Sequence, residues 1–209
     1  MRGKFLVLEG VDGSGKSTQA DAMMSWLQEA GRNPLHLREP GTTIIGEQLR
    51  SLLLDPNRAA WDAETEALLF FAARRELLRQ EIAPALTEGR DVICERFTPS
   101  TLAYQGQGEG VSNFVLNLDS LVVPPDLQPG LVLILDLAPE ESLARAKQCG
   151  QPDAMEARGT TFQEGVRRGY HAYASARPEQ SHWLDVTGMS PEQVFDALRP
   201  PLQRFFQIS

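Results

Sequence analysis

A lysine and a serine, Lys16 and Ser17, close a glycine-rich run near the start of the chain and carry its first legible chemistry. The stretch "GVDGSGKS", residues 10–17, fits G-x-x-x-x-G-K-[ST], with Gly10, Gly15, Lys16 and Ser17 in the fixed places. The glycines let backbone N–H groups turn inward around phosphate oxygens. The following helix aims its positive end at the same point. A lysine here reaches the β- and γ-phosphates of a nucleoside triphosphate, and the serine hydroxyl ligates Mg²⁺. The apolar run "FLVL" before the loop and the helical pattern after it supply the required context. The phosphate cradle is therefore Gly10, Val11, Asp12, Gly13, Ser14, Gly15, Lys16, Ser17 and Thr18.

Such a loop names a ligand and not a reaction, and the remaining candidates narrow the class. No Asn-Lys-x-Asp segment follows a late strand, so a guanine-reading switch protein has no support. "VLILD", ending at Asp136, has the look of a metal-supporting strand end. Glu95 in "ICER" is the better acidic candidate. The three histidines, His36, His171 and His182, are scattered, which leaves a histidine-centred mechanism without a basis. Cys94 and Cys149 offer neither a disulfide framework nor a metal spacing, and this usage fits a reducing, cytoplasmic compartment. A net charge of −8 argues against broad nucleic-acid binding through phosphates. No apolar stretch of about 18 residues exists, so no membrane span is expected.

Positioning those residues requires an alternation of strands and helices. "KFLVLE" reads as a buried strand, "NPLHLRE" as a second ending near Arg38, and "DVICER" as a third. "LVLILDL" (131–137) is the most apolar, as expected of a strand covered on both faces, and "HWLDV" gives a fifth. Ala20, Met23, Met24 and Leu27 recur at helical spacing after the loop, with Gly31 as the stop. Residues 63–88 read as a long helix, bent or ended near Pro84. "PEESLARAKQ" and "SPEQVFDALRPPLQRFF" open further helices with proline and acidic residues in the first turn. The order predicts an α/β, three-layer P-loop NTPase fold, with a five-stranded parallel sheet and helices on both faces. No repeat or linker divides residues 1–209, which form one domain.

Three further stretches, "REPGTT" (38–43), "LLFFAARRE" (68–76) and "ERFTPSTLAYQGQG" (95–108), stand in order with the loop. Together they closely resemble bacterial thymidylate kinases over nearly the whole chain. That resemblance implies transfer of the γ-phosphoryl of ATP to dTMP with Mg²⁺, in a protein commonly a homodimer. It places Phe70 as the ring stacking on thymine and Arg74 as a donor to a thymine carbonyl. Four residues apart on a helix, the two side chains share a face. Phe71 is then a core residue and Arg75 a surface one. Arg96 resembles the arginine that grips the acceptor phosphate, suited to it by a planar charged fork. Arg38 stands as a second cation near it. Pro40, Ser100, Thr101, Tyr104 and Gln105 match positions lining the nucleoside pocket, with Tyr104 against the 2′ face of the sugar. Asp12 matches an aspartate near the acceptor, and Glu9, with Ser17 and Glu95, is expected to support the metal and its water shell.

The chain departs from the family pattern at several points. "DRY" is "ERF", "PGGT" is "PGTT" with Thr42 in place of glycine, and Glu109 stands where arginine is frequent. The lid, residues 145–158, has Ala154 at an arginine position, and the P-loop offers Gly13 and Ser14 instead. Arg145 and Lys147 are the catalytic cations expected to compensate, followed by Arg158. These departures keep two other readings open. One is a related nucleoside monophosphate kinase with altered acceptor choice, the other a nucleotide-binding protein with weak or no transfer.

Overall fold

The computed structural model describes residues 2–146 and 153–208. Five strands form one sheet: β1 (Phe5–Gly10), β2 (Leu35–Arg38), β3 (Val92–Glu95), β4 (Leu131–Asp136) and β5 (Ser181–Asp185). Every pairing is parallel and the spatial order is β2-β3-β1-β4-β5, as expected for the fold class. All six residues of β1 and all six of β4 are buried. Successive strand residues point to opposite faces, so both faces of the sheet centre are covered. That double burial is why these strands read as unbroken apolar runs.

The helices are α1 (Lys16–Glu29), α2 (Ile44–Leu54), α3 (Ala63–Leu77), α4 (Ala83–Thr87), α5 (Thr98–Tyr104), α6 (Val111–Val122), α7 (Pro139–Ala146), α8 (Thr160–Ala176) and α9 (Pro191–Phe206). Trp26 of α1 meets Phe195 and Phe206 of α9 edge to face, which locks the first helix to the last. The long helix expected over 63–88 is continuous, with a π-helical turn, Leu78–Ile82, between α3 and α4. Pro84 lies in the first turn of α4, where its missing N–H breaks the regular ladder, and the widened turn absorbs the break. Helix α9 starts with a capping box between Ser190 and Gln193.

Two features of this frame set the site. At Gly10 the chain leaves β1 so close to β4 that a Cβ there would lie 2.3 Å from the Leu135 carbonyl oxygen, at φ +140°. Only glycine fits both demands. Helix α8 crosses α5 with similar intimacy, since a Cβ on Gly169 would come within 2.7 Å of the Ala103 Cα. The P-loop, the end of β3 and the start of α5 thus meet at the carboxyl edge of the sheet, where ligands of open α/β sheets bind.

Candidate active site

The P-loop lysine is buried and points back into its own loop. Lys16 Nζ donates to the carbonyls of Val11 (2.8 Å) and Gly10 (3.1 Å) and lies 4.0 Å from Asp12. Burial and the nearby charge of Arg96 pull its pKa down to about 8, against the attraction of Asp12, Glu95 and Glu9. Beside it, the Ser17 hydroxyl donates to Glu95 Oε2 at 2.8 Å, and His36 Nε2 meets the other Glu95 oxygen at 2.9 Å. Burial works to raise the Glu95 carboxyl. The bonds from His36 and Ser17 and the charge of Lys16 outweigh it and hold the group below its ordinary value. The extra methylene of Glu95 is therefore taken up by reaching Ser17 itself. Asp136, the other acidic candidate, is bound on both oxygens by Arg167 at 2.8 and 2.5 Å, which gives it a packing role at the sheet edge.

Arg96 is the centre of a second cluster beside the P-loop. It adopts a left-handed backbone conformation (φ 67°), uncommon for a residue with a side chain. Its guanidinium donates to Asp12 Oδ1 (2.5 Å), Gly10 O (3.2 Å), Ser100 Oγ (3.3 Å) and Tyr170 Oη (3.3 Å). Burial would raise the Asp12 carboxyl, but the charges of Arg96 and Lys16 keep it below the usual carboxylate range. Tyr104 donates weakly to the other Asp12 oxygen at 3.4 Å, and Arg96 lies over its ring, 5.3 Å from the centroid. The tyrosine proton is held: burial drives the Tyr104 pKa well above its ordinary value.

Two cavities meet here. One is a pocket lined by Phe70, Pro40, Ser100, Thr101, Tyr104 and Gln105 among others. A wider cleft runs along the P-loop from Asp12 to Gln19 and takes in His36, Arg38, Glu95 and Arg145. Asp12, Glu39, Arg50 and Arg96 line both. Phe70 is half-buried in the pocket wall while Phe71 is in the core and Arg75 is exposed, the division expected from the sequence. Arg38 is exposed and bound to Glu47 (3.1 Å), so it borders the wide cleft and not the smaller pocket. Arg145 donates to Gly13 O at 3.2 Å and to Glu141 at 2.5 Å, which sets a cation beside the P-loop. Lys147 lies outside the described residues.

Two expectations need correction. Glu9 is fully buried, and its carboxylate accepts from Phe97 N (2.8 Å), Ser100 N (3.2 Å), Ser100 Oγ (2.6 Å) and Tyr170 Oη (2.9 Å). With both oxygens so occupied it holds the entry of α5 against β1, and it does not face a metal's water shell. Arg74 does not line the pocket. Its guanidinium is bound bidentately by Glu39, at 3.0 Å from Nε and through Nη2, and further donates to Thr98 Oγ1 (3.1 Å) and Thr101 Oγ1 (2.9 Å). Four of its five N–H groups are used. It supports the wall from behind by fixing Glu39 and Thr101, which do line the pocket.

Sequence reasoning missed Glu39, Arg50 and Tyr170. Arg50 reaches back from α2 to the Pro40 carbonyl (3.0 Å), and Glu39, Pro40 and Arg50 all line the pocket. Tyr170, from α8, ties Glu9, Ser100 and Arg96 together.

A parallel sheet in this order with a P-loop at its centre defines a P-loop nucleotide kinase fold. A thymidylate kinase family model matches residues 8–197. Among curated relatives, the thymidylate kinase of Pseudomonas fluorescens (strain SBW25) is 42% identical over 204 residues, covering 97% of each chain. That of Jannaschia sp. (strain CCS1) is 43% identical over 186 residues and covers 88% of each. The crystal structure of thymidylate kinase from Ehrlichia chaffeensis superposes with a TM-score of 0.76 at 30% identity, over 97% of this chain and all of that one. The chain belongs to the thymidylate kinase family.

Proposed function

We propose that this protein transfers the γ-phosphoryl group of ATP to dTMP, forming dTDP and ADP with Mg²⁺. The observation that carries the reading is the junction of the two cavities at Arg96 and Asp12. An acceptor phosphate held there faces a donor phosphate held by the P-loop. A phosphate oxygen of dTMP, already ionised at neutral pH, attacks the γ-phosphorus, and the bond to ADP breaks. No general base is needed, so positioning and charge neutralisation carry the catalysis. Arg96, Lys16 and Arg145 are the cations for that work, and Phe70 is the stacking surface for the base. Tyr104 faces the sugar side.

Ser17 and Glu95, 2.8 Å apart, suit Mg²⁺, which commonly takes one or two protein oxygens and completes its shell with phosphates and water. The ion would neutralise charge on the transferring group. A cytoplasmic setting and a homodimeric assembly accompany this reading. Among the described residues no helix is long and apolar enough to cross a membrane.

The test is coupled ADP release with dTMP, dUMP, dCMP, dGMP, dAMP and UMP offered separately. Turnover concentrated on dTMP supports the reading. Turnover on another acceptor, or none with any, overturns it. In the active enzyme, Lys16→Ala abolishes transfer and Arg96→Ala raises the acceptor KM while lowering kcat.

A further inference from the structure

A buried carboxylate outside both cavities joins three of the segments that wall the acceptor pocket. Glu66, in the first turn of α3, is fully buried. Its Oε1 accepts from Arg58 Nη2 (2.5 Å), in the loop after α2, and from Arg158 Nη2. Its Oε2 accepts from Gln105 Nε2 (2.9 Å), at the end of α5. None of Glu66, Arg58 and Arg158 lines the pocket, yet each of its partners leads straight to a residue that does. Arg58 also donates to Leu53 O (2.9 Å), next to the lining residue Leu54. Gln105 is itself in the wall and its Nε2 touches Met155 Sδ at 3.8 Å. Arg158 closes the segment that contributes Asp153 and Met155, which is also tied down by Ala154 N to Leu54 O (3.2 Å).

We propose that Glu66 is the positioning residue of the acceptor pocket and that Arg158 is the arm by which segment 153–158 is held to it; this rests on the dTMP kinase reading. A carboxylate only accepts hydrogen bonds, so it selects the NH₂ end of Gln105 and fixes the orientation of that amide in the wall. Two arginines on one carboxylate oxygen, one of them 7% and the other 30% exposed in its side chain, make the tie strong on the interior side and releasable on the outer side. Arg158 is thereby separated from the phosphoryl chemistry. It packs over the Phe162 ring, 4.8 Å from the centroid, and Phe162 in turn meets Tyr104 edge to face. Loss of the hub loosens the acceptor wall while the P-loop, on the other side of Asp12, keeps its own bonds.

The test is steady-state kinetics with dTMP and ATP varied separately, on the whole protein and on Arg158→Ala, Glu66→Gln and the double variant. Arg158→Ala leaves Glu66 with two partners and keeps the question open to measurement should Glu66→Gln fail to fold. The expected result is a rise in the dTMP KM of roughly tenfold, the scale of one charged hydrogen bond. The ATP KM and the kcat at saturating dTMP stay within about twofold, as for sites that do not interact. The double variant is no worse than the poorer single one. A fall in kcat with the dTMP KM unmoved overturns the proposal and makes Arg158 a phosphoryl-directed cation. Unchanged kinetics in every variant overturn it as well. A wild-type protein inactive on dTMP defeats the function reading instead, a result visible before any variant is compared.

Discussion

Thr42 holds a backbone conformation that its side chain opposes. It stands where the family pattern has glycine, and its φ is 66°. A left-handed conformation costs an L-residue roughly 1–2 kcal/mol, and a β-branched one is an outlier there. The compensation is local: its hydroxyl exchanges bonds with Arg38 O (3.2 Å) and Arg38 N (3.1 Å), on the exposed side of the loop. Exposed hydrogen bonds contribute about 0.5–1.5 kcal/mol, and glycine's greater freedom in the unfolded chain offsets part of the relief. The opposing terms nearly cancel, so Thr42→Gly is expected to leave stability within about 0.5 kcal/mol in a urea melt. A larger fall in stability would show that the hydroxyl bonds outweigh the strain. Glu39 gives a second residue-scale prediction. Burial raises its carboxyl from 4.5 to about 7, against the charge and hydrogen bonds of Arg74. Between those values the native protein keeps a proton that the unfolded chain has released. Stability contributed by this group therefore falls as pH rises from about 4.5 to about 7. Glu39→Gln, uncharged throughout, flattens that limb of the stability curve. A slope that survives the substitution places the titrating group elsewhere.

Helix α8 shows how an element can be indispensable to the site and still leave little trace in the sequence. Gly165 and Gly169 lower its helix propensity, and Gly169 is demanded by contact with backbone whereas Gly165 faces a side-chain tip. A Cβ on Gly165 would fall 2.0 Å from Gln107 Oε1, and one on Gly169 meets the α5 backbone. Alanine gains about 1 kcal/mol of propensity over glycine in a helix, whereas overpacking costs about 1–3 kcal/mol. Backbone cannot yield as a side chain tip can, so the overpacking wins for Gly169→Ala. The variant is expected to lose about 1 kcal/mol or more, read by thermal melt, and to lower kcat because Tyr170 is carried off Arg96. An unchanged melting temperature would mean that α8 slides without cost. The same helix explains what sequence reading could and could not reach. Strands β1 and β4 are legible because both their faces are buried, and the P-loop because its spacing is its chemistry. In α8 the buried face is Gln163, Gly165, Val166 and Tyr170, too poor in apolar side chains to form a stripe. Tyr170 was illegible for that reason. Glu39, Arg50 and Glu66 were illegible for another: charged residues read as solvated until the fold shows them partnered and enclosed. Arg74 was placed on the correct helix face, one layer too far forward, because helical spacing gives direction and not depth.

At the scale of the molecule, helix α3, which contributes Phe70 to the pocket, and its neighbour α6 carry exposed apolar surface. Leu68 of α3 is half-exposed, Leu116 of α6 is at the margin of exposure, and Leu121 of α6 is 81% exposed. Helices α3 and α6 pack on each other, so these leucines belong to neighbouring helices, and α3 also bears Phe70 and Arg74. A second copy of this chain is the proposed cover, and a two-fold axis makes each residue count twice. Burying one leucine side chain contributes about 1.5–3 kcal/mol, so a symmetric pair contributes roughly 3–6 kcal/mol to the assembly. Leu121→Glu removes that gain and sets two carboxylates facing an apolar surface. The dimer constant should therefore weaken by at least about two to four orders of magnitude. Sedimentation equilibrium measures this directly, with circular dichroism to confirm that the variant is folded. A wild-type protein that sediments as a monomer removes the assembly altogether. A variant that stays dimeric moves the interface away from Leu121. If it becomes monomeric, the dTMP KM should rise with the ATP KM unaltered, because α3, which presents Phe70, loses the cover of Leu68 together with its neighbour α6, while the P-loop hangs from β1 at the sheet centre.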